Sequence, residues 1–329
     1  MALAENSIAA MPKVNSRSTL IVFSPRMHLC LKNYSLKKTC CLEFTKDKAM
    51  VPGLADLPGR TIYKDTQSNR RISYRRQEPV GITGEPPTLV FLHGFNGNSA
   101  SWHYQFTHFL TFRVISIDAP GFGETSVFEG GMAGFAEEVA SMLSNLNLPS
   151  FWLIGHSMGG MLAQVIASQN RHHCAGLILS CTHKGRARPE SEPLSEDVQS
   201  RIDQRMRLND LEYGTLRIER MLSATLSSEL HEFLVSIAGD IRVEGIRWGG
   251  VAMQHLDTTP YLSNIECPTL ILSAQDDIVI KPDALQALIS DLPNAERIEM
   301  AGVGHAPYCE DADGFNSLVE QFILRHSNA

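Results

Sequence analysis

Three features of the sequence predict a mostly parallel α/β sheet, covered by helices on both faces and interrupted by one helical insertion. Short, near-continuous apolar runs of the kind buried on both faces recur at Thr88–Leu92, Val114–Ile117, Phe151–Ile154, Gly176–Leu179, Thr269–Leu272 and Arg297–Met300. Amphipathic stretches of helical period lie between most of them, over about 99–110, 133–146, 158–169, 282–290 and 311–325. Strand and helix in alternation place parallel strands under helical layers, because a parallel connection needs a crossover. The third feature is a break in that alternation between about Lys184 and Tyr261.

The chain has 329 residues, long enough to bury roughly 75% of the surface its unfolded form exposes. Its first 57 residues read apart from the rest. From Met1 to Met50 there are eight basic residues against three acidic ones, with scattered Ser and Thr and no amphipathic period. That bias suits an organelle transit peptide, a disordered extension, or an upstream start with Met50 beginning the working protein. Glu5 and the lack of Arg among the first dozen residues weigh against targeting, so the cytoplasm is the expected compartment.

Thr61–Tyr63 and Ile72–Tyr74 form an opening hairpin, which brings the expected strands to eight. The break after Lys184 begins with the Pro- and Ser-rich Arg188–Pro193 and continues as charge-rich helical stretches through Ile202, Met206, Leu211, Leu216, Ile218, Met221 and Leu222. The expected organisation is therefore an N-terminal extension (1–57), a core (58–184 and 262–329) and a helical cap (185–261) inserted after the sixth strand.

A net charge of −7 excludes nucleic acid as the default partner, since a protein that tracks phosphates carries a basic excess. Cys30, Cys40, Cys41, Cys174, Cys181, Cys267 and Cys309 include no CxxC pair, so neither a disulfide framework nor a zinc cluster is indicated. The longest early apolar run, Leu20–Phe23, ends at Ser24-Pro25, far short of a membrane span.

The chemistry-bearing segment is Gly155-His156-Ser157-Met158-Gly159-Gly160, directly after an apolar strand and directly before a helical pattern. A G-x-S-x-G in that setting is a nucleophile elbow. The turn is so sharp that its central residue is strained, and a side chain at Gly155 or Gly159 would collide with the adjoining strand and helix. The Ser157 hydroxyl is lifted to where the helix aims its first N–H groups. A serine hydroxyl is a weak nucleophile at neutral pH, so the elbow calls for a base and a group to orient it, in the chain order Ser, acid, His. Among 12 histidines, His305 in Gly302–Pro307 has both the position after a late strand and a Gly-rich setting, while Asp276 and Asp277 are the acid candidates.

With Phe91-Leu92-His93-Gly94-Phe95, Asp118–Gly123, the elbow, Pro268–Leu272 with its Asp pair, and Gly304-His305 in that order, the chain resembles the α/β-hydrolase superfamily from about Thr61 to His326. The resemblance implies an eight-stranded sheet with a helical cap after strand 6, Ser157 as nucleophile and His305 as general base and then acid. Counting from Pro268 puts the acid at Asp277; Ala274, where the family usually has Gly, keeps Asp276 open. The same comparison implies an oxyanion hole from the backbone N–H groups of Phe95 and Met158, with His93 bracing that loop. Asp118 precedes Ser157 and is expected to stabilise a turn. His156 is expected to be a neighbour of the nucleophile, and Cys181 a small apolar filler.

Substrate choice is expected to lie in the cap. Trp102, His183, Lys184, Arg186 and Trp248 are the residues expected to reach the pocket, where a cation would suit a substrate carboxylate. Ser180–Lys184 and Trp248–Asp257 are similar to the 3-oxoadipate enol-lactonase group, which implies a carboxylic ester or lactone of a small metabolite as substrate. A carbon–carbon bond hydrolase, a thioesterase, an amidase or an acyltransferase of the same fold are the alternatives, and a ligand-binding receptor on a hydrolase scaffold is the alternative from another class. No phosphate-cradling loop, dinucleotide fingerprint or metal set is visible, so neither a cofactor nor a metal is expected.

Overall fold

The computed structural model describes residues 56–65, 69–222 and 226–327. The N-terminal extension, up to residue 55, lies outside them. Eight strands form one sheet: β1 (Arg60–Lys64), β2 (Arg71–Gln77), β3 (Thr88–Leu92), β4 (Arg113–Ile117), β5 (Phe151–His156), β6 (Cys174–Ser180), β7 (Thr269–Ala274) and β8 (Glu296–Met300). Their order is β1-β2-β4-β3-β5-β6-β7-β8. The β1–β2 and β2–β4 pairs are antiparallel and the others parallel.

Every residue of β3 and of β5 is buried, which is why these segments read as unbroken apolar runs. One face carries α2 (Gly131–Asn145) and α3 (Met158–Gln169); the helical spacing of Met132, Phe135, Ala136, Val139 and Met142 turns one stripe of α2 inward. The other face carries α1 (His103–His108) and, at the end of the chain, α11 (Ala312–His326), which buries Phe315, Val319 and Phe322. The single helix expected over 99–110 is broken. A 3-10 turn over Ser99–Trp102, capped by the Asn98 side chain, precedes α1.

Between β6 and β7 stand α4 (Glu196–Arg207), α5 (Asp210–Ile218), α6 (Ser228–Gly239), α7 (Val243–His255) and α8 (Thr259–Leu262). Close approach builds this layer. A Cβ on Gly214 would lie 2.1 Å from the Val235 carbonyl oxygen, locking α5 to α6, and one on Gly250 would lie 2.3 Å from Val198, locking α7 to α4. Ile202 and Ile218 are buried here, whereas Met206 and Leu211 are 71% and 69% exposed, because the chain turns between α4 and α5. After β7 come α9 (Pro282–Asp291), β8 and a short α10 (Pro307–Glu310) that starts on a proline. Among the described residues, no helix is long and apolar enough to cross a membrane.

His103 links the sheet side to the helical layer. It is fully buried, with its ring 4.1 Å from that of Tyr104 and 4.4 Å from that of Phe233 on α6. Burial holds its pKa down at about 4, against the opposing pull of the Ser101 and Ala100 carbonyls. The unfolded chain takes up this proton near 6.5, so stability is full above that pH and falls as the pH drops, levelling off near 4. The span corresponds to roughly 3 kcal/mol. His103→Phe, which keeps the ring contacts, is expected to lose clearly less thermal stability than the parent between pH 7 and pH 4.5; an unchanged pH slope in calorimetric melts would contradict this.

Candidate active site

The sharp turn between β5 and α3 fixes the site. Ser157 has φ +51° and ψ −116°, a conformation that L residues avoid, and it is held there from several directions. Its N–H donates to the Ser180 carbonyl at 2.9 Å, and its own carbonyl accepts from the Thr182 hydroxyl at 2.6 Å. A Cβ on Gly159 would sit 2.1 Å from the Leu92 carbonyl oxygen, and one on Gly155 would sit 2.4 Å from that of Gly159, so only glycine permits this packing.

Ser157 Oγ lies 3.1 Å from His305 Nε2, and His305 Nδ1 lies 3.0 Å from Asp277 Oδ2. Ser157 and His305 are 9% and 4% exposed, so the pair is largely buried. The other oxygen of Asp277 accepts from the N–H groups of Val279 (2.7 Å) and Ile280 (3.1 Å). Burial pushes the Asp277 carboxyl up, but the His305 ring and those two N–H groups outweigh it and hold the pKa below the usual carboxylate value. Asp277 is therefore ionised at neutral pH. Asp276 is exposed and its N–H binds the Val303 carbonyl; no contact joins its carboxylate to His305.

His93 spans the loop beside the turn. Its Nδ1–H donates to the Gly94 carbonyl at 2.8 Å, and its Nε2 accepts from the Ala119 N–H at 3.0 Å, which sets the neutral tautomer. Burial pushes its pKa down, with Asp118 opposing. This loop lies against the nucleophile, since a Cβ on Gly94 would be 3.3 Å from Ser157 Cβ. Met158, the first residue of α3, has an N–H with no partner inside its helix. Asp118 does more than shape a turn: fully buried, it accepts from Ser73 Oγ (2.6 Å) and from the Ser99 N–H (2.6 Å), and it faces Arg60 at 3.4 Å.

His156 packs between the rings of His305 (4.8 Å) and Tyr308 (4.9 Å), and burial together with His305 pushes its pKa well below the ordinary value, so it is neutral. Cys181 is also buried, and burial and the adjacent Asp277 push its thiol well up. Donor atoms of Cys181, Asp277 and His305 lie within 4.8 Å of one another. A cation there would compete for the same lone pair that orients His305.

A cavity of about 230 Å³ opens over Ser157, smaller than the usual ligand pocket. Gly94, Phe95, Ser157 and His305 form its floor, and α4, α5 and α7 supply side chains to its roof. Of the residues expected to touch substrate, His183 and Arg186 line it. The other three do not. Trp102 is fully buried behind β3, between Phe91 and Tyr308, and serves the core. Trp248 packs edge-on to Phe135 and donates to the Phe128 carbonyl at 3.0 Å, while Lys184 is paired with Asp291 outside the cavity. Arg201, Arg217 and Arg220 do line it and were not foreseen; on charge-rich helices they carry the same signal as a solvated face. A larger cleft of about 740 Å³, between the β1–β2 hairpin and α5–α6, contains none of Ser157, His305 and Asp277.

Residues 87–312 match the family model described as the alpha/beta hydrolase fold. RutD of Serratia proteamaculans, whose name assigns it carbamate hydrolysis provisionally, is 29% identical over 260 residues, covering 74% of this chain and 93% of its own. An esterase from Thermogutta terrifontis, solved with malate bound, superposes with TM-score 0.68 at 26% identity, covering 82% of this chain and 99% of its own. The enol-lactonase from Burkholderia xenovorans LB400 shares the fold, with TM-score 0.67 at 19% identity over 78% of this chain and 97% of its own. The eight-stranded sheet, the strained serine turn and the matched span agree: this chain belongs to the α/β-hydrolase family.

Proposed function

We propose that the protein is a serine hydrolase that opens a carboxylic ester or lactone of a small metabolite through an acyl-enzyme on Ser157. The observation that carries this reading is the hydrogen-bonded series from Ser157 Oγ through His305 to Asp277, opening onto a small cavity. His305 Nε2 takes the hydroxyl proton as Oγ bonds to the substrate carbonyl carbon, and Asp277 stabilises the imidazolium that forms. The carbonyl oxygen becomes an oxyanion, which the Phe95 and Met158 N–H groups bind in this reading, each contributing on the order of 3 kcal/mol. The tetrahedral species collapses, the alcohol oxygen leaves with the proton from His305, and the acyl group stays on Ser157. Water, deprotonated by the same ring, then attacks the acyl carbon and frees Ser157 with the acid product. In this assignment residues 58–184 and 262–329 carry the chemistry, and 185–261 are the cap. The Serratia relative favours a carbamate as a second substrate type, since the same attack opens it.

Treatment with a fluorophosphonate followed by intact-mass analysis is expected to add one label, absent from Ser157→Ala and His305→Ala. Folded protein without an adduct would move the assignment to a binding protein on this scaffold.

The two neighbouring acids give a second test. Asp277→Asn is expected to lower kcat on an activated ester by about 10³- to 10⁴-fold, because an amide at this position no longer holds the ring in the required tautomer. Asp276→Asn is expected to stay within about threefold of the parent, in keeping with a surface substitution. The reverse ranking in steady-state kinetics would assign the acid to Asp276.

A further inference from the structure

We infer that the substrate carries a free carboxylate remote from the bond that is broken, and that Arg217, with Arg201 and Arg220, binds it; this rests on Ser157 as nucleophile. Arg217 is only 3% exposed, yet it lines the cavity over Ser157. Its Nη2 donates to Gln204 Oε1 at 2.7 Å and its guanidinium lies over the Tyr213 ring at 5.3 Å. Its Nε has no hydrogen-bond partner, and among the described residues no carboxylate lies within ion-pair distance of it. A buried cation without a counter-ion is costly, and structures keep one where a ligand supplies the missing charge.

The contrast with Arg205 is direct. It lies over the same Tyr213 ring, at 5.5 Å, outside the cavity, and it has Asp210 at 2.7 Å. Within the cavity four arginines (Arg186, Arg201, Arg217 and Arg220) face a single acid, Asp197, which pairs with Arg201 at 3.2 Å. Arg201 also reaches Asn96 Oδ1 at 3.3 Å and lies 5.1 Å from the Phe95 ring centre, so it links the roof to the loop next to Ser157. Burial and the neighbouring Arg201 push the Arg217 guanidinium down from its ordinary value; Tyr213 opposes, Arg220 adds to the fall, and Asp197 opposes. An incoming carboxylate relieves that repulsion. About 230 Å³ leaves room for only a short spacer. The substrate class is therefore a monoester of a short dicarboxylic acid, or a lactone bearing a carboxylate.

The test compares mono-4-nitrophenyl adipate with 4-nitrophenyl methyl adipate, which differ only in whether the remote carboxyl is free or methyl-esterified. The parent is expected to show kcat/KM about 10- to 100-fold higher for the acid, the range of a charged hydrogen bond. Arg217→Met and Arg220→Gln are expected to pull that ratio toward one, chiefly through KM for the acid. Lys184→Gln, outside the cavity, is expected to keep it. Arg220 is exposed, so its variant reads the site even where Arg217→Met does not fold. Calorimetry with Ser157→Ala reads the same site without turnover: adipate is expected to bind, and dimethyl adipate is not. Equal rates for both esters on protein that labels at Ser157 would overturn the carboxylate site alone. Protein that neither labels nor turns over either ester would overturn both assignments.

Discussion

The close seating of the first turn of α3 on the ends of β3 and β5 is the constraint on which the site depends. At Gly159 there is no room for even a methyl group under the Leu92 carbonyl, so the helix can approach this far only with glycine there. Once it is seated, the chain between strand and helix has to double back within one residue, and Ser157 takes up the unfavourable φ. The bonds to Ser180 and Thr182 keep it there. The gain is positional: the hydroxyl stands off the backbone, within 3.1 Å of His305, with little conformational freedom left.

Buried polar groups secure the second half of the floor. His93 uses both ring nitrogens on backbone groups, one on its own loop and one at Ala119, past the end of β4. Asp118 gathers Ser73 from β2 and the Ser99 N–H from the turn before α1. Such groups are stabilising only when their partners are complete, so the loop at Gly94 and Phe95 is fixed by the same contacts that join β2, β4 and the turn. On the roof, Gly249 of α7 brings the helix backbone onto the Phe95 ring and Met158. The cavity is thus bounded by rigid elements on both sides.

Legibility from sequence followed the physics of each element. Strands β3 to β7 were readable because burial on both faces leaves near-continuous apolar runs, and the Ser157 turn because its glycines follow from sterics; β8, expected to be another such run, is an edge strand with three of its five residues exposed. His305 was readable from its position after the last strand. The count from Pro268 favoured Asp277 but left Asp276 open, since two adjacent residues differ only in which way the turn after β7 points them; the side chain that faces His305 is that of Asp277, anchored by the Val279 and Ile280 N–H groups. Trp102 and Trp248 misled because a large aromatic close in sequence to a motif is as readily core, and both are. Arg201 and Arg217 were hidden for the opposite reason. Along α4 and α5 they sit among other charges, and only the tertiary packing shows which ones turn inward.

The insertion that carries α4 to α8 leaves the sheet after Ser180 and returns at Thr269, whose register partner on the neighbouring strand is Leu177. Because the strands are parallel, the segment leaves at the end of β6 and crosses back to the start of β7 on the adjacent strand. Bridging those two points with a longer, shorter or different helical segment costs little in chain closure and shifts no strand. The insertion is in this sense an exchangeable cassette: its arginines can be rewritten by mutation or recombination while Ser157, His305 and Asp277 stay where the sheet puts them. On the proposed reading, new selectivity evolves on this scaffold without moving those three side chains.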